Sequence, residues 1–207
     1  MKLKKKFKRM LIAIAAILVI SLIAIILINF MPKDNKVKEA AVLKSIDEYG
    51  YKLKENKTKK YKEMFEELEK ILREEEVDEK EYAKKVAEMF VYDFYSLADK
   101  AAKTDVGGVE FIHPNAVENF LLNAEDTYYK YVESNIYGER QQKLPVVDTI
   151  TIESATETEY AYNNEMHKGY EIKLTWNYTE EQFADYQSSA TITVIKNNLI
   201  YHIVEVQ

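Results

Sequence analysis

Met10 to Phe30 reads MLIAIAAILVISLIAIILINF, an unbroken apolar run in which Ser21 and Asn29 are the only polar side chains. As a helix it spans roughly 31 Å, close to the hydrocarbon thickness of a bilayer. A helix satisfies its own backbone in lipid, so the segment needs no partner there. Pro32 follows and is placed to end it. Lys2, Lys4, Lys5, Lys6, Lys8 and Arg9 precede the run, and the first carboxylate of the chain is Asp34. Cations gathered before a span put that end in the cytoplasm, so the reading is a single-pass anchor with the remainder outside. A cleavable signal peptide would have a shorter apolar core and small residues before the cut, and Ile28-Asn29-Phe30 is a poor cleavage site. The chain is therefore expected to divide into a cytoplasmic basic tail (1–9), a transmembrane helix (10–30), a stalk (31–45) and an extracytoplasmic domain (46–207).

Charge separates in the same way. Removing the six leading cations from the 29 of the whole chain leaves 23 against 35 acids, a net charge of −12 beyond the anchor. A domain of that charge repels nucleic acid and anionic headgroups, so nucleic acid is excluded as a partner. The bilayer, through residues 10–30, and other proteins are the expected contacts, and further copies of the chain are compatible with the same reading. There is no cysteine, which excludes disulfides, thiolate nucleophiles and cysteine zinc sites.

The outer part reads as helices first and strands second. Tyr49, Tyr51 and Leu53 alternate with polar residues, and Gly50 argues against a helix interior, so a strand is expected near 46–54. Thr58 is a natural N-cap, and Tyr61, Met64, Phe65, Leu68, Ile71 and Leu72 make one apolar stripe of a helix ending near Glu74-Glu75-Glu76. Asp78 with Glu81 forms a capping box opening a second helix, expected to run to about Lys103. Thr104 to Gly108 is a turn. Pro114 suits the first position of a third helix, expected to reach about Ile136 with Gly138 closing it. From Leu144 the period changes from 3.6 to 2. Tyr170, Ile172, Leu174, Trp176 and Tyr178 alternate with polar residues and mark the clearest strand. Asn163-Asn164 and Asn197-Asn198 are expected hairpin turns, with a strand over Ala190–Ile195 and a last one over Leu199–Val206. The fold class is α+β, helices packed on the concave face of a curved antiparallel sheet.

This order resembles the nuclear transport factor 2-like fold, a cone of helices against a bent sheet, over about residues 58–207. With the basic tail and the span added, the whole chain resembles the bitopic assembly factors of type IV secretion and conjugation machines, which are scaffolds and not enzymes. The stretch from Phe94-Tyr95-Ser96-Leu97 through Gly107-Gly108, Phe111-Ile112-His113-Pro114 and Tyr129-Lys130-Tyr131-Val132-Glu133 to Lys143-Leu144-Pro145 is also similar to a group of uncharacterised membrane proteins of low-GC Gram-positive bacteria, which lends no activity.

No residue qualifies as catalytic, cofactor-binding or metal-ligating on sequence alone. His113, His167 and His202 are the only histidines, no two at helical ligand spacing, so a metal site would need them to converge from distant segments. Ser96 and Ser134 fall in expected helices with no nucleophile-elbow motif around them. The three contiguous glutamates point different ways on a helix and read as a solvated end. Gly107-Gly108 lacks a phosphate-loop context and reads as loop geometry. Some enzymes with the resembled fold use a buried carboxylate beside tyrosines for proton transfer. Asp93 between Tyr92 and Tyr95, and Asp126 near Tyr128, could line such a pocket. The expectation is that these rings and Trp176 pack on the sheet while the acids face water. The function expected is a membrane-anchored interaction or scaffold domain, with a small-ligand binder or pocket enzyme of the same fold as the alternative.

Overall fold

A four-stranded antiparallel meander carries the fold in the computed structural model of the protein, which describes residues 40–207. The basic tail, the expected transmembrane helix and most of the stalk lie outside the described residues. Among the described residues no helix is long and apolar enough to cross a membrane.

The chain enters through a hairpin, β1 (Val42–Ile46) and β2 (Tyr51–Lys54), joined by a turn in which Gly50 takes φ +72°. The expected strand over 46–54 is thus the turn and second arm of a hairpin, and the last residues assigned to the stalk are its first arm. Tyr51 and Leu53 face inward while Lys52 and Lys54 face out, as the period of two requires.

Helix α1 (Lys59–Leu72) starts where Thr58 Oγ1 accepts the Tyr61 N–H at 3.2 Å. It buries Tyr61, Met64, Phe65, Leu68 and Leu72, the stripe read from the sequence, and leaves Glu74, Glu75 and Glu76 in solvent. Helix α2 (Glu79–Tyr95) starts at Asp78, whose carboxylate accepts the N–H groups of Lys80 and Glu81 at 3.0 Å. It is the central element: α1 packs on it, and it lies across all four strands of the meander.

Two helices end sooner than their periodicity suggests, each because a tertiary bond captures the backbone. After Tyr95, Ser96 turns extended and its Oγ accepts the Val147 N–H, while the Leu97 N–H donates to Pro145 O. The expected continuation to Lys103 is therefore irregular chain tied to the approach of the sheet. Helix α3 (Val117–Asp126) stops ten residues before Ile136, and Gly138 instead takes φ +76° in a later turn. Tyr129 is pulled fully inward, where its hydroxyl donates to Phe94 O at 2.7 Å and accepts the Gly107 N–H at 3.0 Å. It forms a small second core with Leu97, Ala124 and Val132.

The meander comprises β3 (Val147–Tyr162), β4 (Glu165–Tyr178), β5 (Ser189–Asn197) and β6 (Ile200–Val206), in that spatial order. Asn163 and Asn164 both take positive φ in the first turn, as its two-residue length demands. In the last turn the register pairs Asn197 with Ile200, so the loop is Asn198-Leu199, one residue later than the asparagine pair suggests. Register shifts interrupt β3 twice and the β5–β6 pairing once, and such bulges bend strands. Ile172, Leu174, Trp176, Ile192 and Val194 face the helices and close the main core with Phe90, Tyr82 and Tyr95. The class is α+β, three helices packed on a four-stranded antiparallel sheet.

Candidate functional site

The β1–β2 hairpin and the loop before α3 flank a cleft of about 660 Å³. Lys52, Lys54 and Lys57 face it from one wall, and Asp93, Asp105 and Glu110 from the other. Lys52 and Lys54 are there because β2 alternates, and Tyr51 and Leu53 occupy the core side.

Asp93 sits at its base. Burial would raise its carboxyl, but the charges of Lys100 and Lys57, a hydrogen bond from Lys57 and one from the Gly108 N–H hold it well below the usual carboxylate range. The distances are 3.0 Å to Lys100 Nζ, 2.5 Å to Lys57 Nζ and 2.7 Å to Gly108 N. Lys100 is pushed the other way: burial lowers it, and Asp93 with Asp99 more than restores it. Asp93 is an ionised structural centre, unable to carry a proton at neutral pH.

In the loop before α3 the Gly108 N–H donates to the Asp93 carboxylate and the Gly107 N–H to the Tyr129 hydroxyl. A Cβ on Gly107 would collide with the Asp93 backbone oxygen, and one on Gly108, at φ +73°, with the Phe90 ring. Their lack of side chains lets the loop close on α2.

Glu110 is the different group in this cleft. It is half-buried and accepts the Tyr61 hydroxyl. Burial raises its carboxyl above the ordinary range, with Lys57 and Lys54 opposing. Sequence reading missed it because nothing in Val109-Glu110-Phe111 signals that a short helical turn will aim it at Tyr61, 49 residues away.

The other residues weighed from the sequence go elsewhere. The Tyr92 hydroxyl meets Thr58 Oγ1 at 2.9 Å, and Tyr95 packs on Trp176 with ring centres 4.4 Å apart. Both rings join the core as expected, and Asp126 faces water, but Asp93 does not: α2 is enclosed on too many sides to leave it a solvent face. Trp176 is buried, and its indole N–H finds no hydrogen-bond partner among the described residues. Ser96 is not within a helix but caps one, and exposed Ser134 lies in the irregular chain after α3.

The histidines converge, against the expectation from their spacing. His113 and His202 have ring centres 5.4 Å apart, and the His113 ring lies 4.5 Å from Tyr162. His167 is near enough to depress the titration of His113. The described residues nevertheless contain no group of three or more ligating side chains arranged to hold a metal ion. No protein-family model, curated protein or solved structure matches the chain.

Proposed function

We propose that the chain is a membrane-tethered scaffold whose folded part, held outside the cytoplasm by residues 10–30, works by binding other proteins. The reading rests on how the interior is used. Aromatic rings fill the space between helices and sheet: Tyr95 on Trp176, Phe90 stacked on Phe94 at 5.4 Å, and Tyr82 against Tyr201 at 5.0 Å. Asp93, one of the buried carboxylates, is committed to two lysines, and Glu69, another, to Lys44 and Arg73. Tyr131, Tyr137 and Leu122 instead present large apolar groups to solvent, at 77%, 78% and 58% exposure.

The finer likeness, to the nuclear transport factor 2-like cone and through it to bitopic assembly factors of secretion and conjugation machines, belongs to the same proposal. It is supported by helices preceding a meander and by bulges that bend the sheet. A reporter fused after Gln207 tests the topology, with activity expected only outside the cytoplasm. A fusion active in the cytoplasm would overturn the proposal.

One observation favours small-ligand binding as a second reading: Glu110, half-buried and raised, together with Lys57 lines the cleft beside the β1–β2 hairpin and accepts the Tyr61 hydroxyl. On that reading native mass spectrometry of the purified chain shows an added mass that Glu110→Gln abolishes. An unadorned mass for both chains rejects it.

A further inference from the structure

Ile195 is fully buried yet belongs to neither apolar cluster. Strand alternation explains why. Val194 faces α2, so Ile195 and its cross-strand partners Gly169 and His202 face the opposite side of the sheet. The β3–β4 hairpin comes to that side, with Tyr160 against Glu205 and Tyr162 against His113.

Gly169 is the last β4 residue paired with β5; beyond it Thr158 to Lys168 form a two-stranded arm. Tyr162, at the tip of this arm, touches His113, and the backbone N–H of His113 donates to Ile203 O on β6. Strand β6 is two places from β4 in the sheet. The tip reaches its neighbour only by folding back across the outer face of β5 and β6. Gly169 permits the fold, because a Cβ there would strike the Val194 carbonyl oxygen. Tyr160 and its cross-strand partner His167 lie on the same arm, with the Tyr160 hydroxyl against Glu205 of β6.

All three histidines of the chain meet where the arm rests on the sheet: His167 on the arm, His202 beneath it on β6 and His113 alongside. His202 is buried, and its Nδ1 has no hydrogen-bond partner. His113 Nδ1 is taken by the Asn115 N–H at 3.3 Å. The nearby acids serve other groups. Glu205 faces Tyr160, and Glu165, 79% exposed, lies 4.0 Å from His167. Burial first, then His167, lowers His113; burial first, then His113, lowers His202 to about 4. No carboxylate acts on either of these two rings among the described residues.

We infer that the Thr158–Lys168 arm is an acid-released latch, closed over Ile195 while His113 and His202, whose rings lie against each other, are uncharged and opened when both are protonated. Adjacent cations in a buried site repel one another and recover hydration only by separating. The arm is the element able to move, since beyond Gly169 its two strands pair with each other and not with β5. Opening bares Ile195 and Thr193 on the outer face of β5.

Amide hydrogen exchange on the full chain in detergent tests this. Protection of residues 158–168, corrected for intrinsic rates, is expected to fall at least ten-fold between pH 7.5 and pH 4, while Val86–Tyr92 in α2 stays protected. His113→Phe with His202→Phe keeps ring packing and every carboxylate, and is expected to hold the arm closed at pH 4. An arm equally protected at both pH values overturns the latch, and so does loss of protection in arm and α2 together. A double variant that opens as the unaltered chain does would assign the effect to Glu165 or Glu205 and also overturn it. Should that variant not fold, NMR titration of the three histidines in the unaltered chain decides. His113 and His202 are expected to titrate below free histidine and in step with arm opening; ordinary titration with the arm closed refutes the proposal.

Discussion

The Lys100 ammonium lies 3.0 Å from the Asp93 carboxylate, with only 4% and 3% of the two side chains exposed. Lys57 reaches the other carboxylate oxygen. Two cations thus share the Asp93 carboxylate, and Lys100 holds Asp99 as well, at 2.9 Å.

Removing the anion is therefore the most damaging single change at this site. Asp93→Asn keeps an acceptor for the Gly108 N–H but leaves two ammonium groups facing each other. Loss of one partner of a buried ion pair costs about 3–5 kcal/mol. The unfolding free energy from urea denaturation is expected to fall by that amount, as a lowered midpoint at constant slope. Asp93→Leu combined with Lys100→Met, which removes charge of both signs, should recover part of the loss.

The glycine pair is tested separately. Gly107→Ala places a methyl group against the Asp93 backbone, which cannot withdraw because it is inside α2. Gly108→Ala adds the strain of a left-handed conformation, about 1–2 kcal/mol, to a collision with Phe90. Both variants are expected to lower the thermal midpoint, while Gly138→Ala, at a similar φ but with open space around it, should cost only the conformational part.

Tyr51 and Tyr82 form the tie between the hairpin and α2. Their hydroxyls are 2.8 Å apart, and Tyr82 also accepts the Tyr201 N–H at 3.3 Å. Burial pushes Tyr82 up to about 12, opposed by its bonds to Tyr51 and Tyr201, so the pair stays neutral at any ordinary pH. Tyr51→Phe and Tyr82→Phe are each expected to cost about 1–2 kcal/mol, since each hydroxyl has two partners, the Tyr51 hydroxyl also donating to Tyr201 O at 3.4 Å. A double-mutant cycle should give a positive coupling energy, and strict additivity would rule out the bond.

Two carboxylates give the pH dependence opposite signs. Asp93 titrates lower folded than unfolded, so its stabilisation is complete above the unfolded value, about 3.9, and is lost as the pH falls below it. Glu110 titrates higher folded than unfolded, so its contribution is complete below about 4.3 and is lost as the pH rises through its folded value. Glu110→Gln, which still accepts from Tyr61, should raise the denaturation midpoint at pH 7 and flatten its decline above pH 4.3. Asp93→Asn should instead flatten the acid limb.

What was legible in the chain was whatever a single element decides for itself. The stripe Tyr61–Leu72, the caps at Thr58 and Asp78, the alternation from Tyr170 to Tyr178 and the Asn163-Asn164 turn appear where local pattern puts them. Helix ends did not follow, because Leu97 gives its backbone N–H to Pro145 O and Tyr129 its hydroxyl to Phe94 O, both on segments far along the chain. Asp93 was expected in water for the same reason: its neighbours Lys57 and Lys100 are 36 and 7 residues away, and only folding makes them a pair of counter-ions.

The sequence by itself determined the α+β class, the starts of α1 and α2, the absence of disulfides and the acidic balance beyond an apolar, uncharged run. These depend on residue type and on periods of 2 and 3.6, which act over neighbouring residues. Only the tertiary structure decided that Asp93 would be buried and ionised, that Glu110 would meet Tyr61, and that three scattered histidines would gather under one arm. Such meetings depend on strand register and on where a chain bends back, and both are set by packing between segments rather than by any segment's own composition.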